Sequence, residues 1–506
     1  MKYLTSNLAS NPALSLLALA AAALVSGCNL APKLETLALP VPEQIGAITA
    51  GPAAIASEQS LRQAAALQWL QSQQLREVVA LALTHNRDLR VALENITKAR
   101  AQYGISRADL LPSVNAQAQA NRTRTSAGIN ASGVSTLSTQ YTAQIGFASY
   151  ELDLWGRIRN LNEAALQQFL QSQDNQRNVQ LSLVADVVNA WLNLAADEAR
   201  LQLAKDTLES RIKAFELTRR MKELGSTSGL VLAQNQTTVD TARGDVASYT
   251  AQVQRDRNTL QLLVGASLPS GLLPTGAGFV AGVNSPQGVQ KTATLAEAAS
   301  LLPVPAPLPS SVLLQRPDVQ AAERNLRAMN ANIGSARAAL FPSISLTASA
   351  GTGSTDLDRL FGGNNSTWSF IPLVKLPIFD GGRNRAGVEV AEANQRIAIA
   401  QYEKTVQSAF RETADALADR SQWGERLQAQ TSMVAATQKA FELSNARFKA
   451  GVDNYLTVLD AQRSLYTAQQ TLIGLHLSEQ LNRVTLWKVL GGEDLKAASN
   501  TEIAAQ

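Results

Sequence analysis

The chain has 506 residues, a formal net charge of +4 and a single cysteine. One cysteine excludes an intrachain disulfide, and the absence of long basic runs argues against a nucleic-acid-binding surface. Aromatic residues make up only 5% of the chain, and Ala, Gln, Leu and Asn recur throughout. This composition favours helices with narrow apolar seams over one large globular core.

The first 27 residues have the pattern of a secretory signal peptide. Lys2 precedes a 13-residue apolar run, Ala13 to Val25, which is too short to span a bilayer. The stretch Val25-Ser26-Gly27-Cys28 resembles the bacterial lipobox, which implies that Cys28 becomes the lipidated first residue of the mature protein. The alternative is a chance cleavage site followed by a spare cysteine.

The residue after the lipobox bears on localisation. Asn29 stands where many inner-membrane lipoproteins carry Asp, so the sequence favours the outer membrane. Several acyl chains on one cysteine would anchor the protein firmly. Since no later apolar run approaches the roughly 18 residues of a transmembrane helix, we expect a periplasmic lipoprotein or one that crosses the membrane as β-structure.

The mature chain contains an internal repeat. An offset of 230 aligns RADLLPSV (Arg107–Val114) with RAALFPSI (Arg337–Ile344), and an offset of 226 aligns Gly225 with Gly451. These matches keep their order along the chain, which indicates a duplicated unit. The predicted organisation is a signal peptide (1–27), a lipidated N-terminal equatorial segment (28–75), repeat 1 (76–265), a Gly/Pro-rich equatorial connector (266–311), repeat 2 (312–491) and a C-terminal tail (492–506).

Each repeat has the same predicted elements: a helix that stops before a proline, a β-hairpin, a very long helix and a return helix. The hairpins are expected at about 113–150 and 343–379, and the long helices at 156–224 and 382–450. A helix of this length measures about 100 Å. The return helices are expected at about 230–264 and 455–490, after the glycine turns at Gly225 and Gly451.

The four predicted strands have unlike faces. In SVNAQAQANRT, Val114, Ala116, Ala118 and Ala120 share one face and polar residues share the other. A half-exposed soluble sheet also alternates in this way, but apolar-out and polar-in with aromatic residues is the outer-membrane barrel pattern. Four strands cannot close a barrel in lipid. Two chains would give a filled eight-stranded barrel, whereas the polar face indicates a wet lumen and therefore three chains.

The segment GVDNYLTVLDAQRSLYTAQQ, Gly451 to Gln470, follows the second glycine turn. Leu456, Asp460 and Arg463 are spaced by four and three residues, so they share one helix face. From spacing alone, an ordinary solvated ion pair beside seam leucines is the favoured interpretation.

Several motifs together resemble the TolC/OprM family of outer-membrane factors, which are efflux lipoproteins. They are the lipobox at Cys28, YELDLWGRIR, LLQRPDVQAAE, ARAALFPSISLTASAG and the segment from Gly451. The resemblance covers nearly the whole mature chain. It implies an α+β membrane protein: a trimeric 12-stranded β-barrel, with four strands per chain, continuous with a long α-helical periplasmic barrel.

The resemblance also implies functional residues. Leu456, Asp460 and Arg463 match the periplasmic gate positions, where three carboxylates surround the channel axis, Arg463 pairs across to a neighbouring helix, and a leucine ring adds a dewetted constriction. By the 226 offset, Asp460 corresponds to Gln234, so only the second repeat contributes this charge. The tips at Gly225 and Gly451 are implied to contact a periplasmic adaptor protein.

The function implied is a passive, gated exit duct, the outer-membrane channel of a tripartite multidrug efflux pump. Its implied partners are two further chains, the periplasmic adaptor, an inner-membrane transporter of the resistance-nodulation-division class and outer-membrane lipid, with no nucleic acid. The only histidines are His85 and His476 and no phosphate-binding loop is present, so we expect no enzyme activity, cofactor or metal. The alternatives are a duct for protein secretion or metal-cation efflux, and a structural coiled-coil lipoprotein of the periplasm.

Overall fold

A computed structural model describes residues 29–34, 38–45, 70, 72–131, 133–274 and 308–492. The chain forms two compact units, each built from both repeats. The first contains residues 95–173 and 321–402 with the N-terminal residues up to 38, and the second contains 39–94, 174–320 and 403 onward.

The elements of the first repeat are the helices α1 and α2, the hairpin β2–β3, and the helices α3 and α4; those of the second are α5, the hairpin β5–β6, α6 and α7. Two short strands, β1 and β4, lie outside the repeats. In chain order the bounds are β1 (Gln44–Ile45), α1 (Gln73–His85), α2 (Arg87–Ala108), β2 (Val114–Thr125), β3 (Thr136–Leu152), α3 (Arg157–Glu223), α4 (Gly229–Val264), β4 (Leu308–Pro309), α5 (Pro317–Ala338), β5 (Ser343–Ser354), β6 (Ser366–Lys375), α6 (Arg383–Lys449) and α7 (Tyr455–Val489).

Equivalent elements of the two repeats have matching lengths. The long helices α3 and α6 each have 67 residues, α2 and α5 each have 22, and β2 and β5 each have 12. The predicted long helices, return helices and hairpins are therefore present. Proline explains the shared end of α2 and α5, because Pro112 and Pro342 disfavour helix at the residue before them.

Helix α1 is an element that the sequence did not predict. It is separated from α2 by Asn86, whose side chain accepts a hydrogen bond from the Leu89 amide at 2.9 Å and donates one to the Leu263 carbonyl at 2.8 Å. Asn86 is buried. One side chain thus begins α2 and fixes its first turn against the end of α4, and both of these helix ends lie in the second unit.

A four-stranded antiparallel sheet of order β2-β3-β5-β6 lies in the first unit. The central pair joins the two repeats, with Ile145 opposite Ala350 and Phe147 opposite Ala348. A bulge follows, between Phe147 and Tyr150, where Ser149 has a φ of 56°. Every helix of the first unit joins the sheet at one end, and the hairpin loops 126–135 and 355–365 lie at the other.

In the first unit, helix α5 of repeat 2 is covered by a neighbouring helix, whereas the equivalent helix α2 of repeat 1 is not. Ala164 of α3 packs with Ala328 and Ala331 of α5. In contrast, the equivalent stretch of α2 leaves Ile105 68% exposed, and a side chain at Gly104 would meet nothing within 4 Å. The same helix is therefore covered in repeat 2 and bare in repeat 1.

The segment predicted to be equatorial, residues 28–75, is divided between the units. Asn29 accepts a hydrogen bond from Asn160 at 3.0 Å, and the Pro32 carbonyl accepts one from Asn330 at 2.9 Å, which fixes residues 29–34 in the first unit. Gln44 and Ile45 instead pair with Leu308 and Pro309 in the second unit. The signal peptide, most of the connector and residues 493–506 lie outside the described residues.

The core of the second unit is formed mainly by the middle of α3. Trp191, Leu192 and Leu194 are almost fully buried, with Trp487 of α7 packed beside them. Helix α3 is the one described helix with a stretch long and apolar enough to cross a membrane by composition alone, at a mean hydropathy of 1.3. That stretch is 61% buried within the structure, so its apolar residues serve as a protein core.

Candidate functional site

The sheet has one apolar and one polar face, as the alternation predicts. Trp368 is 81% exposed and Phe370 57% exposed on the apolar face, and Trp368 lies in one row with Ala350 of β5 and Ile145 of β3. Ser349 and Ser369 share a hydrogen bond of 2.8 Å on the opposite face. Within the described chain β2 and β6 are edge strands, so their outer backbone groups have no strand partner. In lipid, such a sheet needs further strands to pair with the backbone groups of its two edges.

Two turns with the same geometry join each long helix to its return helix. Gly225 and Gly451 have φ values of 74° and 73°, the left-handed conformation that glycine adopts at little cost. The amides of Ser226 and Val452 reach back to carbonyls five residues earlier, at 2.8 and 3.0 Å, closing a Schellman motif in each turn.

The residue three positions after each glycine begins the return helix. Ser228 accepts a hydrogen bond from the Val231 amide at 3.3 Å, and Asn454 accepts one from the Thr457 amide at 3.2 Å. Both are strong helix N-caps. The two turns therefore differ only in their side chains.

The second turn carries side-chain contacts that the first does not have. Arg447 binds both carboxylate oxygens of Asp453, at 2.6 and 3.0 Å, and these bonds hold the pKa of Asp453 below its ordinary value. Phe448 packs edge-on against Tyr455 at 5.0 Å. The 226 offset places Met221, Thr227, Lys222 and Gly229 at the equivalent positions. This difference is visible in the sequence once the residues around Gly225 are aligned with those around Gly451.

The predicted gate residues lie just after the second turn. Arg463 donates to Asp460 at 3.0 Å within the same helix, with the side chains 76% and 57% exposed. Leu456 is 49% exposed one turn earlier. In the single chain the structure thus brings Asp460 and Arg463 together as a solvated pair. The Leu456 side chain remains available to contact another surface. The predicted pairing of Arg463 across to a neighbouring helix is not formed within the described residues.

Buried polar contacts hold α7 against the first repeat just beyond these residues. The buried Arg211 of α3 donates to the Thr238 carbonyl at 2.9 Å and lies 5.5 Å from the centre of the Tyr466 ring. The Tyr466 hydroxyl in turn donates to Asp245 at 3.2 Å, and burial raises the pKa of this phenol. Sequence reasoning missed this network because its members lie far apart along the chain.

A carboxyl pair joins α3 and α4 farther from the turns. Asp197 is buried and accepts a hydrogen bond from Arg200 at 2.6 Å. Burial, together with the neighbouring Asp197 carboxylate, raises the pKa of Asp256 to about 6. Two carboxylates in contact repel each other unless they share a proton. This pair is therefore a site of pH-dependent stability.

Two further expectations concern lipidation and metal binding. Cys28, the predicted lipidation site, lies outside the described residues. Among the residues that the structure does describe, no group of three or more His, Cys, Asp or Glu side chains is placed to hold a metal ion.

Comparison with known proteins shows what this chain is similar to. The family described as outer membrane efflux protein matches residues 78–266 and 308–492. The toluene efflux pump outer membrane protein TtgC of Pseudomonas putida is 42% identical over 94% of this chain and 95% of its own length. The cation efflux system protein CusC of Escherichia coli is 35% identical over 92% and 96%.

A solved structure gives the same result. The crystal structure of a membrane protein from Pseudomonas aeruginosa matches with a TM-score of 0.81 and 38% identity, over 92% of this chain and all of that one. These likenesses confirm the predicted resemblance and fold class, that of trimeric outer-membrane efflux channels with a helical barrel and a β domain.

Proposed function

The chain belongs to the outer membrane efflux protein family, and from that premise we propose that it is the outer-membrane exit duct of a tripartite multidrug efflux pump. The duct is passive and gated, and it works with a periplasmic adaptor and an inner-membrane transporter of the resistance-nodulation-division class. The observation that carries the proposal is the four-stranded sheet with one apolar face and two open edges.

The open edges are closed by two further copies of the chain. Three chains supply twelve strands, and a barrel of that size leaves room for water between polar inner faces. The internal repeat gives the register of this closure. Inside the chain, the second strand of repeat 1 pairs with the first strand of repeat 2, so the second strand of repeat 2 pairs with the first strand of repeat 1 in the next chain.

The pairings can be transferred residue by residue. Ile145 lies opposite Ala350 within the chain, and the hairpin registers make Pro372 and Ala120 their equivalents. Pro372 therefore lies opposite Ala120 of the next chain. The helices follow the same rule: Ala164 packs with Ala331 inside the chain, so Val390 packs with Ala101 between chains. Val390 is 60% exposed in the single chain, whereas Ala164 is 4% exposed.

Cysteine cross-linking tests this closure with a matched control. The pair Ala101→Cys and Val390→Cys is expected to join chains into covalent dimers and trimers on oxidation. The control pair Ala164→Cys and Ala331→Cys, at the equivalent place inside the chain, is expected to cross-link without increasing the covalent mass. Intrachain products alone from both pairs, or no product from the first, would contradict the proposed trimer contact.

The gate of the duct is formed by Leu456, Asp460 and Arg463 of three chains. Three copies of Leu456 narrow the opening, and three Asp460–Arg463 pairs surround it with charge. The exposed pair itself contributes only about 0.3 kcal/mol to helix stability, so its removal changes the opening without unfolding the helix.

Single-channel conductance in a planar bilayer tests the gate. The double variant Asp460→Ala/Arg463→Ala is expected to pass clearly larger currents than the wild type, which is mostly closed. The control is Asp240→Ala/Arg243→Ala, which removes another exposed pair of the same spacing, 3.1 Å long, from α4. Equal currents in all three proteins would move the gate elsewhere, and no channels from trimeric protein would refute the duct.

The substrates are organic compounds such as drugs, detergents and dyes. TtgC, named for toluene efflux, is more similar to this chain than CusC, named for cation efflux. The chain also has only four Met and two His, which are common ligands of soft metals. Restored resistance of an efflux-deficient strain to dyes supports this assignment, and restored resistance to copper or silver alone would support the cation alternative.

Two attachments complete the proposal. Acylation of Cys28 anchors the chain in the outer membrane, and its neighbour Asn29 is fixed in the same unit as the sheet. Metabolic labelling with radioactive palmitate is expected to mark the wild type and not Cys28→Ser. The turns at Gly225 and Gly451 contact the adaptor, so cysteines placed beside them are expected to cross-link to it.

A further inference from the structure

The apolar face of the sheet becomes cationic at one end of β2. Arg122 and Arg124 continue the row that begins with Val114, on the same face of the strand. They lie opposite Thr139 and Leu137 of β3, next to the hairpin loops and away from the end where the helices join. In an outer-membrane channel whose helices extend into the periplasm, this end reaches the outer leaflet.

Both arginines have hydrogen-bonding groups to spare. The Arg124 Nε donates to the Ser135 hydroxyl at 3.1 Å, which leaves its terminal nitrogens. The Arg122 side chain lines a shallow hollow of about 640 Å³ and makes no hydrogen bond or ion pair with the residues that the structure describes. Two arginines at the edge of an apolar band, in a chain that crosses lipid, need an anionic partner at the lipid surface.

The same hollow is also lined by acidic residues. Asp356 and Asp358, with Thr355, come from the turn after β5, and Tyr141 comes from β3. Carboxylates repel a bare phosphate but accept hydrogen bonds from sugar hydroxyls. The hollow thus places one cation, with Arg124 two residues farther along β2, beside hydrogen-bond acceptors, which matches a phosphorylated sugar.

We propose that Arg122 and Arg124 bind the phosphate groups of a phosphorylated glycolipid headgroup of the lipid A type in the outer leaflet, with Asp356 and Asp358 accepting hydrogen bonds from its sugar. This inference rests on the proposed trimer for its full site. The repeat-derived register places Trp368 of the next chain beside Arg124, and Phe370 beside Arg122. Both rings lie on the lipid-facing side, where aromatic residues mark the membrane interface.

In the trimer, the two arginines of one chain and the two aromatic rings of the next chain meet at three places around the rim of the barrel. A ring beside each guanidinium limits its motion and adds cation–π attraction. Each site therefore lies between two chains, while its phosphate-binding groups come from one chain only. The equivalent residues of repeat 2 are Thr352 and Ser354, which carry no charge, so the trimer has three sites of this kind.

Lipid binding to the purified, delipidated full-length trimer tests the proposal by native mass spectrometry. The probes are diphosphoryl lipid A, monophosphoryl lipid A and phosphatidylglycerol. The wild type is expected to retain diphosphoryl lipid A, and Arg122→Gln/Arg124→Gln to bind it about ten-fold more weakly. The control Lys375→Gln removes a cation from the other end of the sheet, and it is expected to match the wild type.

The outcomes separate this site from the channel itself. Equal retention of diphosphoryl lipid A by the double variant and the wild type would overturn the proposal. Phosphatidylglycerol bound as tightly as lipid A would overturn the glycolipid assignment. The double variant is expected to keep wild-type conductance, because both arginines face away from the lumen. Failure of the wild type to form channels would refute the proposed duct and not the lipid contact.

Discussion

Replacing Asp256 by Asn removes the carboxyl pair between α3 and α4 while keeping the shape of the side chain. The pKa of Asp256 is raised from 3.8 to about 6 by burial and by Asp197. A raised carboxyl pKa means that the folded chain binds a proton that the unfolded chain has released. This bound proton stabilises the folded chain fully below pH 3.8, and the stabilisation is lost as the pH rises through 6.

The shift of about two pH units corresponds to about 3 kcal/mol, at 1.36 kcal/mol per unit. Asp256 is only half-buried, so solvent screening reduces the loss to about 1 kcal/mol per chain. We therefore expect Asp256→Asn to be more stable than the wild type at pH 7.5, with a Tm higher by roughly 1–2 °C. At pH 4.5 the difference is expected to fall to about a third of that value, because the folded chain then keeps the proton that the unfolded chain has largely released.

Thermal unfolding of the detergent-solubilised trimer, followed by circular dichroism at a fixed scan rate, measures this difference. The control is Asp206→Asn. Asp206 accepts a hydrogen bond from a glutamine one turn earlier at 2.8 Å, much as Asp256 does at 2.9 Å. A stabilisation of the same size at both pH values, or an equal gain in the control, would refute the shared proton.

Three further changes test the packing. Gly451→Ala is expected to destabilise the second turn by about 1–2 kcal/mol, because the φ of Gly451 is 73°. Hydrogen exchange of the turn amides measures this loss. The control Gly424→Ala, inside α6, should instead stabilise its helix by about 1 kcal/mol. Gly351→Ala is expected to abolish trimer formation on a native gel, because its Cβ would strike the neighbouring strand, whereas Gly353→Ala, with its nearest neighbours at 3.7 Å, is expected to assemble. Arg211→Ala should lower the stability of the α7 packing by about 2 kcal/mol, seen as faster amide exchange there; unchanged exchange would contradict its role.

The sequence predicted much of this fold because its signals are local or repeated. The long helices α3 and α6 begin and end within a residue of the expected bounds, since glycine marks each boundary and no proline interrupts them. The strands were found because side-chain alternation has a period of two. Because the unit is repeated, a weak pattern in one repeat could also be checked against the equivalent residues of the other repeat.

The contacts that the sequence did not reveal join residues distant along the chain. Arg211 meets Tyr466 only because α7 packs on α3, and no spacing rule encodes such a meeting. Helix α1 was missed because it is only 13 residues long and ends at Asn86, directly before the longer α2. The gate positions were recognised through family resemblance, and in the single chain they have the geometry of an ordinary surface pair.

The two bare edges of the sheet also constrain biogenesis. A newly exported monomer carries an edge of 12 residues on β2 and one of 10 on β6, and unpaired strands of that length are templates for aggregation. Neither edge can enter hydrocarbon with its backbone unsatisfied. Membrane insertion therefore depends on three chains together. They must meet in the periplasm, or at the insertion machinery, before any one of them can cross the bilayer. The rate at which channels appear should accordingly rise steeply with the rate of export.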